Sequence, residues 1–247
     1  MRRFCLVLLL CALPAASLAQ SGLGVSRGDL RLGYDDGDGA GGFASGRVDV
    51  AITSAHGLQG DLGLEDTASG RIGTLAGHLY LAPAPGLKYG LFGYAGDVDD
   101  RSATFGGVGA EGMLAVGPQS AVEMRAGLGL TAGDLDFLFA GGAVYHDLTP
   151  ALTLRAGGMA AHYDEAAFEA TGYAFWAGVD LSRQGGPLGL FAEIGRDGLE
   201  GPDGAPWRTT VRAGLRITFG RATDRSPERR LFRTPDPLRP LTGRGLF

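Results

Sequence analysis

One pattern recurs along most of this chain: apolar residues alternate with polar or small residues at every second position. The run Val122–Leu130 places Glu123, Arg125 and two glycines between its apolar residues, and Val211–Phe219 repeats the pattern. Successive side chains of a β-strand point to opposite faces, so each run predicts a strand with one apolar and one polar face. No segment combines a sustained 3.6-residue period with helix caps. The chain is therefore predicted to be all-β.

The alternating runs predict about twelve strands, with ten or fourteen as alternatives. The predicted ranges are 25–35, 43–55, 59–67, 71–82, 87–96, 103–116, 121–131, 134–146, 151–163, 169–182, 187–196 and 207–219. The phase of the fourth strand is open, because Leu75 and Leu79 compete with Ile72 and Tyr80 for its apolar face.

The connections between the predicted strands form two sets. One set is short and rich in turn residues, as in Pro83–Gly86 and Gly117–Ser120. The other set is more acidic and sometimes longer, as in Asp35–Asp38 and Asp197–Pro206. Short turns at one end and longer polar loops at the other are typical of a membrane barrel. We therefore expect a closed, antiparallel, up-and-down transmembrane β-barrel over residues 20–220, with its acidic loops outside and its N- and C-termini in the periplasm.

Charged residues of the predicted strands lie almost entirely opposite the apolar stripe. A soluble β-sandwich would show the same alternation, with the apolar residues inside and the charged residues outside. Closure into a barrel is favoured because lipid does not tolerate unpaired strand edges. Aromatic residues near strand ends would form interfacial girdles, and they are Tyr34, Phe43, Tyr80, Tyr89, Tyr94, Phe137, Phe139, Tyr145, Tyr163, Tyr173, Phe175, Trp207 and Phe219.

The charged residues of the strands then become the predicted lining of the lumen. They are Asp29, Arg31, Arg47, Asp49, Asp61, Lys88, Glu111, Glu123, Arg125, Asp136, Arg155, Asp180, Glu193, Arg212 and Arg216. Eight acids and seven bases are nearly balanced, so this set predicts neither a cation nor an anion preference.

The first 19 residues are predicted to be a secretory signal peptide. Arg2 and Arg3 form a basic start, Phe4–Leu13 is apolar, and Ser17-Leu18-Ala19 places small residues before the cleavage point. Both cysteines, at positions 5 and 11, lie in this segment. A disulfide framework and a cysteine metal site are thereby excluded. The chain carries a formal net charge of −5, so nucleic acid is not expected as a partner.

Residues 221–247 form a separate basic, proline-rich segment. It holds seven arginines against three acids, and four prolines. Proline disrupts regular structure, so we expect a periplasmic tail without regular structure. An alternative is that the tail folds back and plugs the lumen, or binds an anionic periplasmic partner.

The last predicted strand resembles the assembly signal of Gram-negative outer-membrane β-barrel proteins. Arg212, Gly214, Ile217 and Phe219 match the polar, glycine, apolar and aromatic positions of that signal. The resemblance covers roughly residues 23–219 as a pattern, and it implies recognition by the barrel assembly machinery and contact with outer-membrane lipids. The signal normally ends the chain, whereas here 28 residues follow Phe219.

Residues that would carry chemistry are few. His56, His78, His146 and His162 show no metal-ligand spacing, and neither a cofactor nor a catalytic set is predicted. His162, near Asp164 and Glu165, is an acid–base candidate at the outer rim, and Asp97, Asp99 and Asp100 could supply carboxylates for a loop enzyme. We expect a narrow porin-like channel for small solutes in the cell outer membrane. The alternatives are a non-conducting structural or surface-interaction barrel and, third, a rim enzyme that modifies lipid.

Overall fold

The computed structural model describes residues 24–37, 40–99, 103–133, 135–165, 168–183, 186–220, 226 and 229–246. The predicted signal peptide, with both cysteines, lies outside the described residues.

Twelve β-strands account for most of the described chain, and each corresponds to one predicted strand. They are β1 (Gly24–Asp35), β2 (Gly41–Ala51), β3 (His56–Thr67), β4 (Gly70–Ala84), β5 (Leu87–Val98), β6 (Ala103–Gly117), β7 (Ser120–Thr131), β8 (Asp136–Asp147), β9 (Leu152–Glu165), β10 (Phe168–Ser182), β11 (Leu188–Glu200) and β12 (Ala205–Gly220). The all-β prediction and the count of twelve are confirmed.

The strands close into a single barrel. Every strand pairs antiparallel with its neighbours in sequence, and β1 pairs with β12 from Arg27↔Gly220 to Asp35↔Arg212. Closure leaves no strand edge without a partner, which is the condition for crossing lipid with strands.

The outer surface of the barrel is apolar. Leucines from strands all around the wall, including Leu62, Leu91 and Leu128, are 62–64% exposed. The open phase of β4 is resolved in the same sense: Leu75 faces outward, while Ile72 and Tyr80 are buried inside. Because apolar residues face out and charges face in, the molecule fits a barrel in lipid and not a soluble sandwich.

The two ends of the barrel have connections of similar length. The end at which β1 begins and β12 ends, called here the terminal end, has connections of two to five residues. The opposite end, called the far end, has the same range. The expectation of longer loops at the far end is therefore wrong, although acidic residues of the connections, such as Asp36 and Asp203, do lie at that end. Strand β11 continues to Glu200 and β12 begins at Ala205, so the two strands take up six of the ten residues expected to form the last loop.

One short helix, α1 (Arg239–Thr242), follows the barrel. Among the residues described, no helix is long and apolar enough to cross a bilayer.

Seven of the thirteen aromatic residues expected in the interfacial girdles point into the lumen instead. Tyr34, Tyr89 and Phe175 are outward and exposed, but Phe139 and Tyr163 are almost fully buried inside. The other aromatic residues that are buried or in contact with the lumen are Phe43, Tyr80, Tyr94, Phe137 and Tyr145.

Inward glycines make room for these rings. A Cβ at Gly127 of β7 would lie 2.8 Å from the Phe139 ring and 2.6 Å from the carbonyl oxygen of Val108. Gly109 stands in the same relation to Phe92. Each ring therefore lies over a glycine of the neighbouring strand, so these glycines serve packing inside a small barrel.

We predict that Gly127→Ala destabilises the barrel by about 1–3 kcal/mol, because the added methyl group meets a backbone oxygen that cannot move aside cheaply. Urea unfolding in lipid vesicles measures the change. Gly60→Ala is the matched control, because a Cβ there meets nothing within 4 Å. Equal stability of the two variants would contradict this account of the glycines.

Candidate functional site

The structure brings fourteen of the fifteen predicted lumen residues to the inside of the barrel. Asp136 is the exception and corrects the prediction: it is exposed, in phase with the outward Leu138. The inward positions of β8 belong to Phe137 and Phe139. The prediction placed Asp136 in the lumen because it is charged, but the inward positions of this strand are taken by an aromatic pair.

The structure also places residues in the lumen that sequence reasoning missed. They are Arg27, Asp35, Gln59, Glu65, His78, Asp197 and Arg208. Arg27 follows an irregularity in the β1–β2 register, which reverses its phase relative to Val25. Gln59 and His78 share the phase of Asp61 and Tyr80, so strict alternation from those residues would have found them.

Residues 229–246, called here the C-terminal segment, run through the lumen from one end to the other. At the terminal end, Arg27 donates to the backbone oxygen of Arg229 (3.1 Å). At the far end, the backbone N–H of Ser69, in the β3–β4 connection, donates to the oxygen of Thr242 (3.1 Å). This course differs from the expected tail without regular structure in the periplasm, and matches the fold-back alternative.

Phe232 is the most enclosed residue of the segment. Its N–H donates to Oε1 of Gln59 (2.8 Å), and its oxygen accepts from Nε2 of the same side chain (2.9 Å). Its ring stacks on His78 at 5.8 Å between centroids, and the Lys88 ammonium lies 4.3 Å above it. A buried amide that satisfies both backbone groups of one residue holds that residue in a single register.

Each of four arginines in the segment meets a carboxylate of the wall. The pairs are Arg230–Asp147, Arg233–Glu193 (3.1 Å), Arg239–Asp35 (2.8 Å) and Arg244–Asp197 (2.5 Å). Guanidinium groups keep their charge in proteins, so these four contacts are ion pairs.

The backbone of the segment is satisfied by donors of the wall. Carbonyl oxygens of Arg230, Phe232 and Arg233 accept from Lys88, Arg47 and Arg125. Prolines in the segment have no N–H, which reduces the number of donors that an extended buried chain must satisfy. The composition that predicted disorder thus also suits an extended insert.

The far end of the segment is held by apolar packing. Leu238 and Leu241, each 1% exposed, join a cluster with Tyr94, Phe137 and Tyr163. The Tyr163 hydroxyl donates to the oxygen of Pro237 (2.5 Å). Helix α1 is thereby fixed beside the far mouth.

This course separates the two ends of the described chain. Gly24 and Gly220 lie at the terminal end, as the even strand count predicts. Gly245 lies at the far end, beside Ala68 of the β3–β4 connection. The first and last residues of the barrel and the last described residues of the chain therefore lie at opposite mouths, and which mouth faces the periplasm stays a prediction.

The segment leaves a cavity of about 820 Å³ beside it. Its lining reaches from Gly186, in the β10–β11 connection, to Ala40, in the β1–β2 connection, so it extends from one end of the barrel to the other. Eleven arginines but six carboxylates line it. The near balance of acidic and basic residues that we expected for the lumen does not hold for this cavity.

Each of the four histidines forms side-chain hydrogen bonds with neighbouring residues of the barrel. His78 lies between Glu111 (2.6 Å) and Asp61 (3.3 Å), both buried. His56 contacts Thr53, His146 contacts Ser120 (2.8 Å), and His162 contacts Thr171 (3.2 Å). No cluster suited to a metal ion is found among the described residues.

The residues of the predicted assembly signal lie along the β12 seam. Arg212 binds Asp35 (3.1 Å) inside, and Phe219 is 44% exposed outside. A Cβ at Gly214 would lie 2.1 Å from the oxygen of Leu32, so glycine is required for closure there. Ile217 pairs with Leu30 of β1. Recognition of this strand by the assembly machinery stays a prediction.

We predict that Gln59→Leu loosens the C-terminal segment, because the N–H of Phe232 loses its partner and its oxygen keeps only the bond from Arg47. Unsatisfied buried groups cost about 1–3 kcal/mol, which raises the released population about five- to hundredfold. Trypsin cleavage at arginines of the segment measures the change. Gln119→Leu, in the exposed β6–β7 connection, is the control, and equal cleavage of the two variants would contradict the anchor.

No protein-family model matches the chain, and no curated protein matches its sequence. Solved structures of outer-membrane porins and channels are similar to it. The KdgM porin in complex with disordered oligogalacturonate is 11% identical, over 78% of this chain and 99% of that chain, with a TM-score of 0.55. The NanC porin is 12% identical, over 77% and 98%, with a TM-score of 0.53. An outer-membrane channel from Pseudomonas putida F1 is 13% identical, over 81% and 97%, with a TM-score of 0.57. These likenesses show the fold: a closed antiparallel barrel of the kind found in outer-membrane channels.

Proposed function

We propose that this protein is an outer-membrane channel for small anionic solutes, which pass between the arginine-rich wall and the C-terminal segment. The observation that carries the proposal is the cavity of about 820 Å³ that reaches both ends of the barrel and is lined by eleven arginines and six carboxylates. An excess of fixed cations along a narrow polar pore attracts anions and repels cations.

The outer surface supports a membrane location. Large apolar side chains are exposed on the outer face of every strand except β2, and a soluble protein rarely exposes so much apolar surface. With the predicted signal peptide, this surface supports the outer membrane, with the terminal end in the periplasm and the far end at the cell surface. Outer-membrane lipids and the assembly machinery are then partners.

One cluster of charges on β1, β9, β10 and β12 supports the anion preference. Asp180 is shared by Arg31 (3.3 Å), Arg155 (3.3 Å) and Arg216 (3.7 Å). Arg216 is also within 2.9 Å of Asp29. The arginines of this group outnumber its carboxylates, so their positive charge is only partly compensated.

The comparisons suggest which anions to test first. The KdgM porin was solved in complex with oligogalacturonate, an oligomer of acidic sugars. Small sugar acids and dicarboxylates are therefore suitable first solutes for this channel. The proposal includes no enzymatic step.

A non-conducting barrel is the second candidate. It is favoured by the segment itself, which crosses the lumen and packs Leu238 and Leu241 among buried aromatic rings at the far end. The two functions differ in one measurable property, ion conduction by the intact protein.

We predict that the refolded chain, without its signal peptide, shows discrete conductance steps in planar bilayers. In a KCl gradient the reversal potential should lie closer to the equilibrium potential of chloride than to that of potassium. Silence from protein that is shown to be folded and inserted would favour the non-conducting barrel.

We further predict that Arg31→Gln lowers the anion-to-cation permeability ratio about fivefold. A unit charge about 4 Å from a passing ion contributes roughly 1 kcal/mol even in water. Arg196→Gln is the control, because Arg196 lies on the outer face of β11 over the Trp207 ring. The same ratio in both variants would contradict an arginine-lined passage.

A further inference from the structure

The lumen has two unequal sides. The segment packs Phe232 against β3, β4 and β5, through Gln59, Tyr80 and Lys88. The open cavity lies mainly on the other side, where β1, β2 and β9–β12 supply most of the lining, and the far part of β3, from Leu62 to Thr67, lines it as well. Because the segment covers one side of the lumen, an entering solute contacts mainly the wall on the other side.

The segment covers carboxylates. Asp61 accepts from Thr234 (2.6 Å), and Glu123 accepts from the N–H of Arg233 (3.1 Å). Two more covered carboxylates, paired with arginines of the segment, are Asp147 and Asp197. None of these four residues belongs to the lining of the cavity.

The segment also contributes cations to the cavity. Arg230, Arg233 and Arg239 are part of the lining, with Asp236 as the one acid that the segment supplies. Arg233 lies 4.0 Å from the Trp176 ring on β10 and binds Glu193 of β11, so it reaches across to the open side.

Together these two effects account for the charge of the passage. With the segment in place, the cavity is lined by eleven arginines and six carboxylates, an excess of five cations. Without it, three arginines and Asp236 are lost from the lining. Lys88, Arg125 and the four covered carboxylates would then be uncovered. With Asp29, Asp49 and Glu111, which also face inward outside the cavity lining, the wall alone has ten cations and twelve carboxylates, a small excess of acid.

We propose that the C-terminal segment determines the charge selectivity of the channel, by covering the acidic side of the lumen and by placing its own arginines along the open side. This inference rests on the proposed channel function and adds a role for the segment within it. The segment is then a permanent part of the passage wall.

The test uses the full chain in planar bilayers with a KCl gradient. The variant Arg230→Gln with Arg233→Gln and Arg239→Gln removes the three cations that the segment adds to the lining. We expect the anion-to-cation permeability ratio to fall at least fivefold. The same three positions changed to lysine keep the charge and should keep the ratio within about twofold of the unchanged chain. Arg196→Gln on the outer face is the control for loss of charge as such.

Four outcomes are distinguishable. A fall in the glutamine variant, with the lysine variant and the control unchanged, supports the inference. An unchanged ratio in the glutamine variant overturns it and leaves the channel function standing. An equal fall in the glutamine and lysine variants also overturns it, because selectivity would then depend on side-chain geometry and not on charge. Absence of conductance in the inserted, unchanged chain overturns the channel function and this inference together.

Discussion

Ion pairs between the arginines of the C-terminal segment and the carboxylates of the wall determine how much of the lumen stays open and which charges line it. A barrel in lipid turns its apolar residues outward, so its charged residues must face in and find partners there. The wall satisfies part of this requirement by itself, as in Arg47 with Asp29 at the β1–β2 pair. The C-terminal segment supplies partners for further charged residues of the wall. The charge of the remaining cavity therefore depends on the wall and on the segment.

Size and shape of the lumen follow from the glycine and aromatic pattern. Rings such as Phe139 point inward over glycines of the adjacent strand, and they fill the far half of the lumen on the β5–β9 side. That filling gives Leu238 and Leu241 an apolar surface to pack on. The anchor at Phe232 and this far-end packing hold the segment at two separated points, so the arginines between and beyond them have fixed positions.

Much of the fold was predictable from the sequence, because alternation at period two is a direct consequence of strand geometry. The strand count, the antiparallel order and the phase of most strands followed from it. Asp136 and the inward aromatics were misplaced, because alternation shows two faces without showing which residues of a small barrel fill its centre. The ends of β11 were misjudged because acidic residues such as Asp197 occur in a strand when their partner is a lumen arginine.

The path of residues 229–246 was beyond local sequence reasoning. A segment rich in proline and arginine is predicted to have no stable structure of its own. Its composition gives no sign that the inner wall of the barrel carries carboxylates that pair with its arginines. Only the three-dimensional pairing, such as Arg239 with Asp35 across 204 positions of sequence, shows that the segment has a binding site. The same pairing explains why a chain with an even number of strands has its described ends at opposite mouths.

The most direct test of this account is the side on which the last residues of the chain are found. The only cysteines are Cys5 and Cys11 in the predicted signal peptide, so single cysteines give a clean signal. Ser54→Cys marks the terminal end, and Leu246→Cys, at a residue 51% exposed, marks the far end. A membrane-impermeant maleimide should label Leu246→Cys on intact cells and Ser54→Cys only after the outer membrane is opened. Labelling of both from the same side would contradict a C-terminal segment that crosses the lumen.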